Sequence, residues 1–180
     1  MKPIVLFSIQ FTLSLAAYAL IALWYIVPRL SRKPREAAVT PLLWVHAFRM
    51  IGGTVLAPGA VGIGVPLLFQ RMIGYGDLIT ALLALIALVA LRARWSAAIP
   101  LVWLVVIVGM SDTVNAIIQS MRDNVFTHPL GVNWVIVTIY VPALIVSSVL
   151  ILWQLIRSPL AVTDVAVTSG AVTGGPATAG

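Results

Sequence analysis

The sequence predicts an all-α integral membrane protein, a bundle of five transmembrane helices with the N-terminus outside and the C-terminus in the cytoplasm. Three observations predict this fold class. First, 61% of the 180 residues are hydrophobic and only 9% are charged, whereas a soluble domain carries about 25% charged residues. Second, five apolar stretches each approach the roughly 20 residues needed to cross a bilayer. Third, basic residues cluster at alternate ends of these stretches, a pattern that fixes orientation in the membrane.

The five spans are expected at about residues 4–27, 41–57, 77–91, 97–120 and 133–156. The first span ends at Pro28. The second begins at Pro41, because proline is acceptable at the first helical position and Thr40 can cap the helix. The fifth contains Pro142, where a kink is expected. Residues 158–180 are rich in Ala, Val, Thr and Gly, and we predict a disordered cytoplasmic tail.

The segment from 59 to 76 fits two descriptions. It is apolar, but Gly62, Gly64 and Pro66 interrupt it, and it is too short to cross the membrane. An external apolar loop and a re-entrant segment both remain open, since a re-entrant loop has to be buried against protein or water.

The distribution of basic residues supports the orientation, and we expect the protein in the cytoplasmic (inner) membrane of the cell. Lysine and arginine accumulate in cytoplasmic loops. With the N-terminus outside, seven basic residues fall inside and three outside. Those inside are Arg29, Arg32, Lys33, Arg35, Arg92, Arg94 and Arg157, and those outside are Lys2, Arg71 and Arg122.

Composition also excludes several classes of function. The net charge of +6 is explained by orientation rather than by nucleic-acid binding, because no basic stripe is interleaved with aromatics. Cysteine is absent, which excludes disulfides, iron–sulfur ligation and covalently attached haem. The two lysines, Lys2 and Lys33, lie outside the spans, so a retinal Schiff base is excluded.

Histidine offers no support for a cofactor either. His46 and His128 are expected on opposite sides of the membrane, so they cannot both ligate one haem iron, and only a haem with a single histidine ligand stays open. No His/Glu pair has metal-ligand spacing. We therefore expect no cofactor and no metal, and we interpret His46 as a residue that hydrogen-bonds across helices.

Arg49 is the residue around which a site is expected. It lies inside the second span, three residues after His46 and therefore on the same helix face. An arginine at this depth costs about 2.5–3.5 kcal/mol on insertion scales, so it needs a partner or a hydrated cavity. Gly52 and Gly53 would let a neighbouring helix approach closely.

Polar residues on the other helices suggest where that partner lies. Gly109, Asp112, Asn115, Gln119 and Arg122 follow one face of the fourth span. Asn133, Tyr140, Ser147 and Gln154 recur every seven residues on the fifth. Asp112 or Asp77 is expected to be the counter-ion of Arg49. Asp77 is the weaker candidate, because a carboxylate at a helix N-terminus is ordinary capping.

These residues predict a polar cavity in the outer half of the bundle, open to the outside and floored by Arg49. Arg49 would attract an anionic group, and Asp112 with Asn115 would orient it. The candidate ligand-binding residues are Arg49, Asp112, Asn115, Asp77, His46, Gln10 and Tyr140. The alternative is that the same hydrogen bonds only hold the helices together, at about 0.6–2 kcal/mol each.

Three functions follow from this pattern. The leading one is a lipid-embedded protein that binds or moves a small polar or amphipathic molecule, or a lipid. The second is a structural or accessory subunit that packs against a partner membrane subunit or another copy of itself. The third is a membrane-embedded enzyme acting on lipids, with an aspartate as acid or base and Arg49 stabilising an anion.

Overall fold

All regular structure in the computed structural model, which describes residues 2–157, is helical. Five helices are long and apolar enough to span a membrane, and the prediction of an all-helical bundle with five candidate spans is confirmed. They are α1 (Pro3–Leu30), α2 (Arg35–Leu56), α3 (Leu67–Arg92), α4 (Ala98–Arg122) and α5 (Val132–Ile156). A single 3₁₀ turn, Val125–Thr127, connects α4 to α5. The predicted tail, 158–180, lies outside the described residues.

The helices form a four-helix core with one peripheral helix. Helix α3 packs against α2 and α4, and α5 packs against α2 and α4 from the other side. Helix α1 packs mainly against α5. Its position at the edge explains why Leu13, Leu23 and Trp24 are each more than half exposed.

The buried apolar side chains form two clusters at opposite ends of the bundle. The larger includes Leu43, Val105 and Ile151, all fully buried, and joins the first half of α2 to the ends of α3 and α5. The smaller, around Phe69 and Phe126, lies under the connections between α2 and α3 and between α4 and α5. A layer of polar residues lies between the two clusters.

Two helices widen into a π turn just before a proline. The turns are Ala22–Ile26, ahead of Pro28, and Ile136–Tyr140, ahead of Pro142. A proline inside a helix has no N–H and crowds the carbonyl four residues earlier, and a π turn relieves both effects. Helix α1 therefore continues past Pro28 to Leu30, and the irregularity expected at Pro142 takes the form of a π turn.

Helix α2 differs from the prediction in its start and in its winding. It begins at Arg35, so Pro41 lies inside the helix and not at its first position. Thr40 is not a cap; its hydroxyl donates to the carbonyl of Glu36 at 2.7 Å. From Phe48 to Leu56 the helix tightens to 3₁₀ winding for nine residues, longer than the usual three or four.

Helix α3 begins at Leu67, ten residues before the expected start at Asp77. Residues 57–66 are a loop of turns, and 67–76 are the first turns of α3. Gly74 and Gly76 both lie within the helix, and a side chain of another helix approaches each of them closely. The loop packs on the connection before α5, since the Gly62 N–H donates to the carbonyl of Pro129 at 2.7 Å.

Candidate functional site

Arg49 lies at the start of the 3₁₀ part of α2 and joins three helices. Its side chain is buried, with 3% exposure. Nε donates to Asp77 of α3, and Nη2 donates to Asp112 Oδ2 at 2.5 Å and to Thr113 Oγ1 at 3.0 Å. Nη1 donates to the carbonyl of Gly109 at 3.0 Å. We call Arg49, Asp77 and Asp112 the ionic cluster.

Both aspartates are counter-ions of Arg49, where the sequence predicted one of the two. Asp77 lies ten residues inside α3, so its interpretation as a helix cap is wrong. The error follows directly from placing the start of α3 too late. Charge-assisted hydrogen bonds of this kind satisfy buried ions, and removing one partner of such a pair is costly because it leaves a buried charge uncompensated.

Glycines make room for the ionic cluster. A Cβ on Gly52 would lie 1.7 Å from Asp77 Oδ2, and a Cβ on Gly76 would lie 1.9 Å from Asp112 Oδ1. A Cβ on Gly109 would lie 3.4 Å from Arg49 Nη1. The sequence pointed to Gly52 as a close-approach site. It did not identify Gly76, which lies in the segment 59–76 that the sequence predicts to be a loop or a re-entrant segment.

A cavity of about 90 Å³ extends from the ionic cluster toward the smaller apolar cluster. Its walls come from all five helices and are mostly apolar. They include Phe7, Phe11, Val55, Phe69, Ile73, Ala116, Ile117, Phe126 and Val137. Polar groups are concentrated at the ionic cluster and Thr113, with Ser120 and Asn133 elsewhere in the lining. The sequence predicted a polar cavity. The structure corrects this prediction, because the cavity has mostly apolar walls and is ionic only at one end.

Tyr140 and Asn133, both on α5, line the cavity and tie α5 to α2 and its following loop. The Tyr140 hydroxyl donates to the carbonyl of Val45. Asn133 is hydrogen-bonded to Thr54 Oγ1 at 3.1 Å and to the carbonyl of Ala60 at 3.0 Å. Asn133 was part of the polar stripe on the fifth span but not of the predicted site. Its contact with a loop carbonyl could not be inferred from helix periodicity.

His46 lies one turn before Arg49 and is fully buried. Its Nε2 is 3.2 Å from Ser147 Oγ and 3.4 Å from Ser148 Oγ, both on α5. His46 does not line the cavity. It hydrogen-bonds across helices, as the sequence suggested, and it joins α2 to α5 beneath the ionic cluster.

Besides His46, two predicted site residues lie away from the cavity. Gln10 is exposed, and its Oε1 accepts a hydrogen bond from Trp134 Nε1 at 2.7 Å. Asn115 is half-buried but does not line the cavity. The cavity-facing side of α4 contains Thr113 and Ser120 instead, so the predicted polar stripe is rotated from the true inner face.

The site can recognise a polar group at one end of a cavity whose walls are otherwise mostly apolar. Within residues 2–157, no three His, Asp or Glu side chains converge in a way that could hold a metal ion. Arg49 donates hydrogen bonds to the carboxylates of Asp77 and Asp112 and to the hydroxyl of Thr113. Together these side chains form the polar floor of the cavity. A bound molecule would place a polar group on this floor and its apolar part against the aromatic walls.

Comparison with known proteins gives a family but no function. No curated protein and no solved structure matches the chain. Residues 6–156 match the model of a domain of unknown function, DUF8737. This match covers most of the chain, including all residues of the ionic cluster and the whole cavity lining. The protein therefore belongs to the DUF8737 family.

Proposed function

We propose that this protein is a multi-pass protein of the cytoplasmic membrane that binds or moves a small amphipathic molecule in the cavity between its helices. The observation that carries the proposal is the cavity itself, with apolar walls on one side and the ionic cluster at its end. Protein interiors are normally close-packed. A void that ends on three charged side chains is a natural binding site for a molecule with one polar and one apolar part.

Placement in a membrane is supported by the outer surface. Large apolar side chains are exposed on every helix, among them Leu13, Phe48, Leu68, Ile107 and Val149. Monomeric soluble proteins rarely expose contiguous apolar patches of more than a few hundred Å². In a bilayer the same side chains would contact lipid.

The orientation proposed from the basic residues puts the cavity in the outer half of the membrane. Phe7 and Phe11, near the N-terminus of α1, line the cavity. The basic cluster after α1 and the Arg92–Arg94 pair lie at the other end of the bundle, which the positive-inside rule assigns to the cytoplasm. A ligand would therefore enter from the outside or from the outer leaflet.

The test is to fill the cavity and look for loss of a bound molecule. Ala116→Phe places a large side chain in the cavity and leaves the three residues of the ionic cluster in the sequence. Val114→Phe is the matched control, because Val114 is 50% exposed on the outer face of the same helix. Native mass spectrometry after purification in a mild detergent should show a small molecule on the wild-type chain and on Val114→Phe, but not on Ala116→Phe.

Two results would contradict the proposal. One is a wild-type chain that carries no small molecule. The other is a molecule that Ala116→Phe retains as well as the wild-type chain does, since this molecule would be bound outside the cavity.

A second candidate function, an accessory subunit, is favoured by the peripheral position of α1. That helix packs mainly on α5, and its most apolar 18-residue window contains no buried residue. A partner helix, from another membrane protein or from a second copy, could cover it. Stoichiometric co-purification of a larger membrane protein would favour this function over small-molecule binding.

A further inference from the structure

We propose that the cavity selects a ligand with a positively charged head, such as a primary amine, over one with an anionic head. This inference rests on the proposed function, and it reverses the expectation that Arg49 would attract an anion. It follows from the charge balance of the lining and from the hydrogen bonds that Arg49 already makes.

The guanidinium of Arg49 is already committed to protein groups. Arginine has five N–H donors, and the structure assigns four hydrogen bonds to them: one each to Asp77, Gly109, Asp112 and Thr113. An anionic ligand would have to compete with two carboxylates for the same guanidinium. It would also add a third negative charge at a site that already holds two.

The charges of the lining do not cancel. Arg49, Asp77 and Asp112 are the charged residues in the described lining. When both carboxylates are ionised, one guanidinium and two carboxylates leave one negative charge in excess. His46 does not offset it, because its ring faces the serine hydroxyls of α5 and does not line the cavity. A net charge in apolar surroundings is unfavourable unless it is paired, so a cation is the complementary ligand.

The carboxylates also have acceptor capacity to spare. Asp77 bonds Arg49 through Oδ1, and Asp112 bonds it through Oδ2. The second oxygen of each carboxylate lies beside a glycine, Asp77 Oδ2 beside Gly52 and Asp112 Oδ1 beside Gly76, and receives no hydrogen bond from the residues that the structure describes. Both residues line the cavity. An ammonium group, which has three donors and no acceptor, matches this surplus of acceptors.

The size and walls of the cavity limit the rest of the ligand. A cavity of about 90 Å³ is smaller than the roughly 300–1,000 Å³ of drug-sized sites. The ligand should therefore have a short apolar chain. Phe7 stacks on Phe126 with ring centroids 4.0 Å apart, so the end of the cavity away from the ionic cluster suits an apolar chain.

The experiment compares three six-carbon probes that differ only in the head: hexylamine, hexan-1-ol and hexanoate. Each is titrated into the full chain in lipid nanodiscs, and thermal unfolding is followed by the fluorescence of the six tryptophans. A ligand that binds the folded state raises the unfolding midpoint. Shifts that remain in Ala116→Phe come from effects on the bilayer and are subtracted.

We expect hexylamine to bind about tenfold or more tightly than hexanoate, since an opposite charge within a few ångströms is strongly favoured at low dielectric. Asp112→Asn and Asp77→Asn each remove the excess charge, and in either variant the preference for the amine should fall about tenfold. Two variants are used so that the loss of one to misfolding leaves the test intact.

The outcomes separate this inference from the proposed function. If hexanoate or hexan-1-ol binds as tightly as hexylamine, or if both aspartate variants keep the preference, the inference is wrong and small-molecule binding stands. If no probe shifts the midpoint beyond the Ala116→Phe control, the cavity does not bind small amphiphiles and both proposals are wrong.

Discussion

Arg49 stabilises the bundle through the number of helices that it joins. Its four hydrogen bonds reach α3 and α4 from α2. Lysine could not replace it, because an ammonium is a point charge whereas the planar guanidinium directs donors in several fixed directions. The bonds require close helix approach, and Gly52 and Gly76 allow the carboxylates to fit against neighbouring backbone.

The close fit of Gly76 to Asp112 gives the first prediction. In Gly76→Ala, the new Cβ would lie 1.9 Å from Asp112 Oδ1, so the carboxylate has to move away from Arg49. We expect a loss of about 3 kcal/mol in the free energy of unfolding, the lower end of the range for breaking a buried ion pair. Reversible unfolding in mixed detergent micelles measures it.

Gly53→Ala is the matched control for this prediction. Its Cβ would meet the Leu78 side chain, with Cδ2 at 3.2 Å and Cγ at 3.3 Å, and this side chain can move by a few tenths of an ångström. Its stability should fall by less than about 1 kcal/mol, as for a surface-directed substitution. Equal losses in the two variants would show that Asp112 is not held in place by the ion pair.

At the scale of the helix, the change of winding in α2 explains the contact made by Tyr140. A continuous α-helix would direct the N–H of Arg49 to the carbonyl of Val45, four residues earlier. The winding tightens to 3₁₀ from Phe48, which frees that carbonyl. The hydroxyl of Tyr140, at the end of the π turn in α5, donates to it. The irregular segment of α2 therefore leaves a carbonyl free, and the irregular segment of α5 supplies the hydroxyl that donates to it.

This contact gives the second prediction. Tyr140→Phe should destabilise the chain by about 1–3 kcal/mol, the cost of leaving a buried carbonyl without a donor. The loss is measured by the same detergent unfolding experiment. Tyr75→Phe is the control, because Tyr75 is 57% exposed and should change stability little. A Tyr140→Phe variant as stable as Tyr75→Phe would mean that the Val45 carbonyl finds another donor.

The extent of α3 shows why some elements were predicted only in part. Its apolar second half, from Asp77 to Leu91, matches the predicted span, but the helix extends ten residues further toward its N-terminus. The interruptions at Gly62, Gly64 and Pro66 predict a loop or a re-entrant segment over 59–76, and the predicted span begins after it. In the structure Gly74 and Gly76 lie within the helix, where their lack of a side chain accommodates Leu56 and Asp112.

At the scale of the whole molecule, the four core helices carry the site and α1 closes its side. Polar groups from α2, α3 and α4 meet at the ionic cluster, whereas α1 contributes Phe7 and Phe11 to the wall. The Gln10–Trp134 hydrogen bond, at 2.7 Å, fastens α1 to α5 near these phenylalanines. Access to the cavity therefore depends on how α1 and the two adjacent connections pack.

The proposed orientation gives the third prediction, and the absence of cysteine makes it simple to test. Single cysteines are introduced as Ser96→Cys, between α3 and α4, and as Thr127→Cys, between α4 and α5; both positions are exposed. A membrane-impermeant maleimide applied to intact cells should label Thr127→Cys only, because the positive-inside rule places the loop with Arg92 and Arg94 in the cytoplasm.

Permeabilised cells are the control, since both variants should then be labelled. Labelling of Ser96→Cys but not Thr127→Cys in intact cells would reverse the orientation and move the cavity to the cytoplasmic half. Labelling of neither after permeabilisation would contradict the exposure of both loops.

The sequence by itself determined the composition-driven features: five apolar helices, the pattern of basic residues, and an arginine inside the second helix that required a partner. These follow from local chemistry, since a long apolar stretch and a buried charge each demand a particular environment. Only the tertiary structure decided that both aspartates meet Arg49, that the cavity walls are apolar, and that Gln10 and Asn115 lie elsewhere. Those features depend on helix rotation and on contacts between residues far apart in the chain. A shift of about ten residues in one helix start, or a small rotation of another, is enough to change them.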